Sequence, residues 1–196
     1  MITRPAASTP YYAYFGTPVG PVLLTSDGVG LTGLYMVEHK HGEAVRDDWI
    51  ADDKARPFEE AKQQLAAYFA GTLTEFDLPL AMRGSDFQKS VWEELRTIPF
   101  GSTISYGELA RRLGNPNASR AVGLANGRNP VSIIVPCHRV IGANGNLVGY
   151  GGGLPRKARL LAFELAMLVN GPRPFPSPVE EDISAIEDVQ AVLDFV

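Results

Sequence analysis

Pro136-Cys137-His138-Arg139 sets the chain's single cysteine directly before an imidazole and a guanidinium. The thiolate, not the thiol, is the nucleophilic form of sulfur, and both a nearby cation and a histidine base favour it. Pro136 fixes the backbone just ahead of the sulfur. Cys137 therefore reads as a nucleophile and His138 as its base. Glu164, on a helix expected over 156–168, is the candidate third member that orients His138. On a plain strand Cys137 and His138 would point to opposite faces, so a bridging water is the expected link between them. The competing reading is an inert buried cysteine acting as a small hydrophobe. One cysteine makes no internal disulfide and no thiolate zinc cage, so a reducing cytoplasm and no metal are expected.

The elements around this run can be read outward from it. Val131-Ser132-Ile133-Ile134-Val135 is β-branched and apolar, which predicts a buried strand feeding Cys137. Val140 to Val148, around Asn144-Gly145, predicts a hairpin. Gly149-Tyr150-Gly151-Gly152-Gly153 follows. It lacks the Lys-Ser/Thr of a phosphate-binding loop, and is read as a wall that lets a flat ligand lie against backbone. No cofactor motif is present.

Upstream, Ser85-Asp86-Phe87-Gln88 is a capping box opening a helix whose Phe87, Val91, Leu95 and Ile98 face a core. A second capping box is expected at Ser105 and Glu108. The two short helices of 108–113 and 118–126, joined by Gly114-Asn115-Pro116-Asn117, match a helix-turn-helix. Ala118, Ser119, Ala121, Gly123 and Ala125 keep the second helix lean, which suits close approach to a DNA groove or to another helix. Nearer the N-terminus, 21–36 reads as a hairpin about Asp27-Gly28, 56–70 as an amphipathic helix, and 76–80 as an extended link. His39 and His41 have no partner cluster and read as surface residues.

The 196 residues are 45% hydrophobic and 20% charged, which suits a folded chain with one sizeable core. No run is long and apolar enough to span a membrane, and the N-terminus carries no secretory pattern. The formal net charge of −4 is unevenly distributed. Residues 1–82 sum to −5, 83–164 to +6 and 165–196 to −5. A basic middle between acidic flanks is what a local nucleic-acid footprint looks like, though solvated helices give it too.

Taken together, these motifs resemble the O6-alkylguanine-DNA alkyltransferases. The likeness runs from Phe87-Gln88-Lys89-Ser90-Val91-Trp92 through Ile98-Pro99-Phe100-Gly101, Ser105-Tyr106-Gly107-Glu108-Leu109-Ala110 and Arg120-Ala121-Val122-Gly123. It continues in Asn129-Pro130, Ile134 to Gly142, Gly149 to Leu154, Lys157 and Glu164. The resemblance implies an α/β protein with three parts. Residues 1–82 would be a small structural domain of hairpin-rich sheet plus helix. Residues 83–168 would be a mainly helical alkyltransferase domain with a helix-turn-helix, and 169–196 a linker and acidic helix.

It further implies irreversible, single-turnover transfer of an alkyl group from O6-alkylguanine, and O4-alkylthymine, in double-stranded DNA to Cys137. No cofactor takes part, and the damaged base is flipped out of the duplex. By this likeness His138 deprotonates Cys137 through water, Glu164 orients His138, and Asn129 braces the preceding loop. Tyr106 aids extrusion and gives a proton to the leaving guanine. Arg120 fills the vacated stack, with Ser119, Ala121 and Gly123 against the minor groove. Tyr150, Gly151, Gly152, Val140 and Asn126 wall the base pocket. Gly151 stands where some relatives carry a hydroxyl, which would bear on preference among alkyl groups. A monomer is expected.

Two rival classes remain. A lesion sensor would bind alkylguanine without transfer, yet such relatives replace the cysteine. A thiol hydrolase built on Cys137, His138 and Glu164 would turn over and leaves the basic helix-turn-helix without a role. Residues 170–176 read as a linker, and Ser177-Pro178-Val179-Glu180 opens an acidic helix with an apolar stripe that must be buried, most simply on its own body.

Overall fold

The computed structural model describes residues 10–37, 42 and 44–176. His39, His41 and the acidic helix expected from Ser177 onward lie outside them. A four-stranded sheet comes first, formed by β1 (Tyr11–Phe15), β2 (Val22–Ser26), β3 (Leu31–Met36) and β4 (Ile50–Ala51), in the order β3-β2-β1-β4. β2 and β3 form the expected antiparallel hairpin, with Leu24 opposite Leu34. β1 was not legible as a strand; it pairs antiparallel with β2 through Ala13 and Leu24. α1 (Phe58–Phe69) packs Phe58, Ala61, Leu65, Tyr68 and Phe69 inward. The extended link is tied to the sheet at Leu31 and Leu80.

α2 (Asp86–Arg96) begins with both halves of its capping box, Gln88 N–H to Ser85 Oγ at 3.2 Å and Ser85 N–H to Gln88 Oε1 at 2.9 Å. Its inner face is Val91, Trp92 and Leu95, whereas Phe87, expected in the stripe, is exposed. Trp92 fills that place, and its Nε1–H donates to Ala125 O at 2.9 Å. Two-residue β5 (Ile104–Ser105) leads into α3 (Tyr106–Arg112). Here only the Ser105 half of the capping box forms, because the Glu108 carboxylate pairs with Arg111 and Arg112 instead. A 3-10 turn, Pro116–Ala118, precedes α4 (Ser119–Gly127), and α3 and α4 pack as a helix-turn-helix.

The segment before Cys137 departs from the expected strand. It is buried, but only single bridges tie Val131 to Leu34 and Ser132 to Val135, and Ile133 sits at φ 72°. Asn129 explains the bend. Its Oδ1 accepts from Val131 N–H at 3.0 Å and its Nδ2 donates to Val135 O at 2.8 Å, so the side chain closes a loop that a ladder would have opened. Cys137–Arg139 is a 3-10 turn rather than strand. β6 (Val140–Ile141) then pairs in parallel with β5. The expected hairpin partner is absent: Gly142 and Asn146 close a turn, but the carbonyls of Val148 and Gly149 are held by side chains instead.

α5 (Leu154–Asn170) is longer than expected at both ends. The stretch after it is not a free linker. Phe175 is buried against Phe69 and Phe163, and its N–H donates to Phe69 O at 2.6 Å. Arg159 stacks over its ring. Gly71, at φ 75°, lies so close to Arg173 O that a Cβ would collide with it. One core joins the two halves, with Leu34, Leu65 and Tyr68 in the same cluster as Val91, Val135 and Phe163. Burial of each such side chain contributes about 1.5–3 kcal/mol. No helix of the described residues is long and apolar enough to cross a membrane.

Candidate functional site

The 3-10 turn and α5 together build the site. Cys137 is 3% exposed and His138 and Glu164 are fully buried. His138 Nε2 lies 2.8 Å from Glu164 Oε1. Glu164 also accepts from Arg139, Nε to Oε2 and Nη2 to Oε1, both at 2.9 Å, and from Gly101 N–H at 2.9 Å. Burial alone would raise the Glu164 carboxyl, but the charge and hydrogen bonds of His138 and Arg139 outweigh it and hold the pKa at about 2. An ionised carboxylate only accepts, so Nε2 must carry the hydrogen and Nδ1 presents its lone pair. Among the described residues that Nδ1 has no hydrogen-bond partner. Burial lowers the histidine pKa further than Glu164 raises it, with Arg139 and Lys157 adding repulsion, so at pH 7 the ring is neutral and able to accept a proton, and the charge that bears on Glu164 is the one it carries in acid.

Glu164 also supplies an acid-stability prediction. Its folded-state pKa lies below the ordinary carboxylate value, so its contribution is complete above about pH 4.5 and is lost as pH falls toward 2. Urea unfolding should show a loss of about 3 kcal/mol across that window. A Glu164→Gln chain should lack this component of the decline.

The sulfur's surroundings differ from the expectation. Arg139 does not face it; the guanidinium turns to Glu164 and to Ile98 O, at 2.7 Å, and lies over the Phe100 ring. Burial pushes the Cys137 thiol up, against the opposing influence of Asn129, the Lys157 charge and Ser132. Lys157 is thus the cation the sulfur feels, and sequence reasoning assigned it no role. It is fully buried, and Nζ donates to Val140 O at 2.6 Å and Val148 O at 2.8 Å. Burial brings its pKa down to about 8, with the Cys137 charge pulling the other way. An apolar helix position spaced between Pro155 and Leu161 carrying a lysine was the available signal.

Tyr106, at the start of α3, bonds Val148 O at 3.1 Å and Gly149 O at 3.3 Å. Burial first, then the Cys137 charge, pushes its pKa up to about 12, so its hydroxyl keeps its proton. Asn126, buried, approaches Cys137 O with Nδ2 at 3.5 Å. Val140, Tyr150, Gly151 and Gly152 are buried, and a Cβ on Gly152 would meet the Tyr150 ring and Met36. The expected DNA-facing residues separate into two faces of α4. Arg120 and Ala121 are exposed, together with Leu124 at 68% and Arg128. Ser119 and Gly123 are half-buried, and a Cβ on Gly123 would stand 3.6 Å from the Tyr106 ring. That is ordinary van der Waals contact, so a methyl group at 123 would fit against Tyr106 without a clash.

Comparison with known proteins covers nearly the whole described chain. Residues 10–82 match the family model described as 6-O-methylguanine DNA methyltransferase, ribonuclease-like domain, and 86–166 that described as its DNA binding domain. A methylated-DNA–protein-cysteine methyltransferase of Methanosarcina acetivorans is 54% identical over 79% of this chain and 97% of the relative. One from Mycobacterium tuberculosis is 55% identical over 79% and 92%. The crystal structure of Mycobacterium tuberculosis OGT in complex with DNA superposes with a TM-score of 0.74 at 55% identity, again over 79% and 92%. O6-methylguanine-DNA methyltransferase from Pyrococcus kodakaraensis gives 0.54 at 26% identity, over 80% and 99%.

Proposed function

Since the chain belongs to the methylated-DNA–protein-cysteine methyltransferase family, we propose that it repairs DNA by direct reversal, moving an alkyl group from O6 of guanine onto Cys137. The observation that carries the reading is the buried Cys137-His138-Glu164 arrangement, in which the histidine next in sequence to the chain's single thiol is held by Glu164 through Nε2 and keeps its lone pair on an unpartnered Nδ1. His138 takes the thiol proton through an intervening water. The sulfur then attacks the alkyl carbon, the carbon–oxygen bond breaks, and guanine leaves with a proton supplied from Tyr106. A thioether remains. Nothing in this sequence of steps frees the sulfur again, so each chain acts once.

The substrate in this reading is a duplex bearing O6-alkylguanine, with O4-alkylthymine as a second lesion. The actor is a cytoplasmic monomer, with 1–82 as its structural part, 83–168 as its transfer part, and 169–196 as a tail whose first residues dock on α1. Asn129 holds the loop before the sulfur, and Asn126, Val140, Tyr150, Gly151 and Gly152 wall the base pocket. The exposed face of α4, with Arg120 and Ala121, meets the minor groove, and Ser119 and Gly123 keep the helix lean enough to lie against it.

Intact-protein mass after incubation with duplex DNA carrying one O6-methylguanine tests this. One added methyl group on Cys137, with a plateau at one per chain, is expected. Unchanged mass with tight lesion binding would turn the reading to a damage sensor, and continuing turnover would turn it to a hydrolase. Arg120 supplies a further expectation. Arg120→Ala should slow transfer from duplex DNA roughly tenfold to a hundredfold, because the arginine offsets a flipping cost of about a few kcal/mol. Reaction with free O6-benzylguanine, which needs no flipping, should keep its rate in the same single-turnover assay.

A further inference from the structure

Glu164 Oε1 has a third donor that belongs to neither α5 nor the 3-10 turn. Tyr68, on α1 and 96 residues away, donates its hydroxyl hydrogen to Oε1 at 2.9 Å. The tyrosine is fully buried. Its ring stands edge-on to Phe69, Phe100 and Phe163 and tilted on Phe76, so the hydroxyl has one direction in which to point. We propose that Tyr68 is a positioning residue of the transfer site, its hydroxyl aiming Glu164 Oε1 at His138 Nε2 from the N-terminal half of the chain. This deepens the alkyl-transfer reading and rests on it.

The chemistry follows from what each donor can do. Arg139 and Gly101 satisfy Oε2, and Arg139 shares Oε1. A carboxylate held only by that fork can pivot about it, and a pivot moves Oε1 off the imidazole N–H. The phenol closes that freedom with a neutral donor. Burial, followed by the charge of Glu164, keeps the Tyr68 hydroxyl protonated far above neutral pH, so its role as donor does not change with conditions. The phenol also draws negative potential away from Oε1, which makes His138 less basic than Glu164 alone would.

The groups facing this pair are Tyr68 on α1, Arg139 on the turn, Lys157 on α5, and Tyr150 on the glycine-rich wall. Of these, only the first touches Glu164 from the N-terminal half.

The test is the pH dependence of the single-turnover rate in the full chain. Tyr68→Phe keeps the ring and loses only the oxygen. Its plateau rate should fall roughly tenfold, one decade for a hydrogen bond to a charged group, and its acid limb should move to higher pH. Final stoichiometry should stay at one methyl per chain. Replacing Tyr68 with 3-fluorotyrosine strengthens the donor without changing shape, and should move the limb to lower pH; it keeps the test decisive if the phenylalanine chain folds poorly. Phe69→Leu loosens the same aromatic packing without touching Glu164, and should lower stability while leaving the limb in place.

An unmoved limb in both Tyr68 variants, or an equal shift in Phe69→Leu, overturns the proposal. Capture of Cys137 by iodoacetamide reads the same limb with no DNA. If that limb shifts as expected while the unaltered chain takes no methyl from DNA, the positioning role stands and the alkyl-transfer reading falls.

Discussion

Cys137→Ser should abolish alkyl transfer while leaving lesion binding in place. The loss should be at least about 10⁴-fold, the scale on which removal of a nucleophile is felt. A serine hydroxyl is far less acidic than a thiol, and a neutral imidazole with lowered pKa is too weak a base to ionise it. The oxygen is also a poorer nucleophile toward a saturated carbon than sulfur. The fold should survive, because the turn is held from outside the side chain. Asn129 bonds Val135 O and Val131 N–H, and Cys137 N–H bonds Val135 O at 2.8 Å. Electrophoretic retardation with O6-methylguanine duplex should match the unaltered chain, and the protein mass should stay constant. Retained transfer would remove Cys137 from the chemistry.

Glu164→Gln carries the second large effect, on stability and rate together. Two carboxylate oxygens accept five hydrogen bonds, from His138, Tyr68, Gly101 and twice from Arg139. An amide replaces one acceptor with a donor, so an N–H must face either the guanidinium or the imidazole N–H. Arg139 is then buried with no counter-charge, a loss of about 3–5 kcal/mol that a shift of the urea midpoint at pH 7 would register. The histidine loses the group that sets its tautomer. When Nδ1 carries the hydrogen instead, the lone pair moves to Nε2 on the side of residue 164, Nδ1 can no longer accept a proton, and the single-turnover rate should fall on the order of 10³–10⁴-fold. A variant that kept its rate would show that the tautomer is set elsewhere.

Adjacent residues were legible, and of the distant ones only Glu164 was. Cys137 and His138 stand together in the chain, and Ser85 with Gln88 spells a cap within four residues, so both could be read locally. Glu164 was reachable because a carboxylate on the inner stripe of an apolar helix is costly without a partner. The five-donor arrangement around it was not, since Tyr68 and Gly101 come from elements whose packing no periodicity reports.

Arg139 looked like a neighbour of the sulfur because sequence adjacency says nothing about where a side chain turns. In a 3-10 turn it points back toward Glu164. The 131–135 segment failed for a related reason. β-branched composition predicts a strand, and the Asn129 amide supplied backbone partners that a strand would have taken.

The docking of Phe175 has a practical meaning for anyone who shortens or tags this protein. The ring closes the open side of the packing formed by Phe69 and Phe163, one residue from Tyr68 and one from Glu164. A boundary drawn after Asn170, where α5 stops, would strip that cover and wet the aromatic layer behind the carboxylate. A boundary after Pro176 leaves it sealed. Among the described residues, the useful edge is therefore set by a side chain in an irregular stretch, five residues beyond the end of α5.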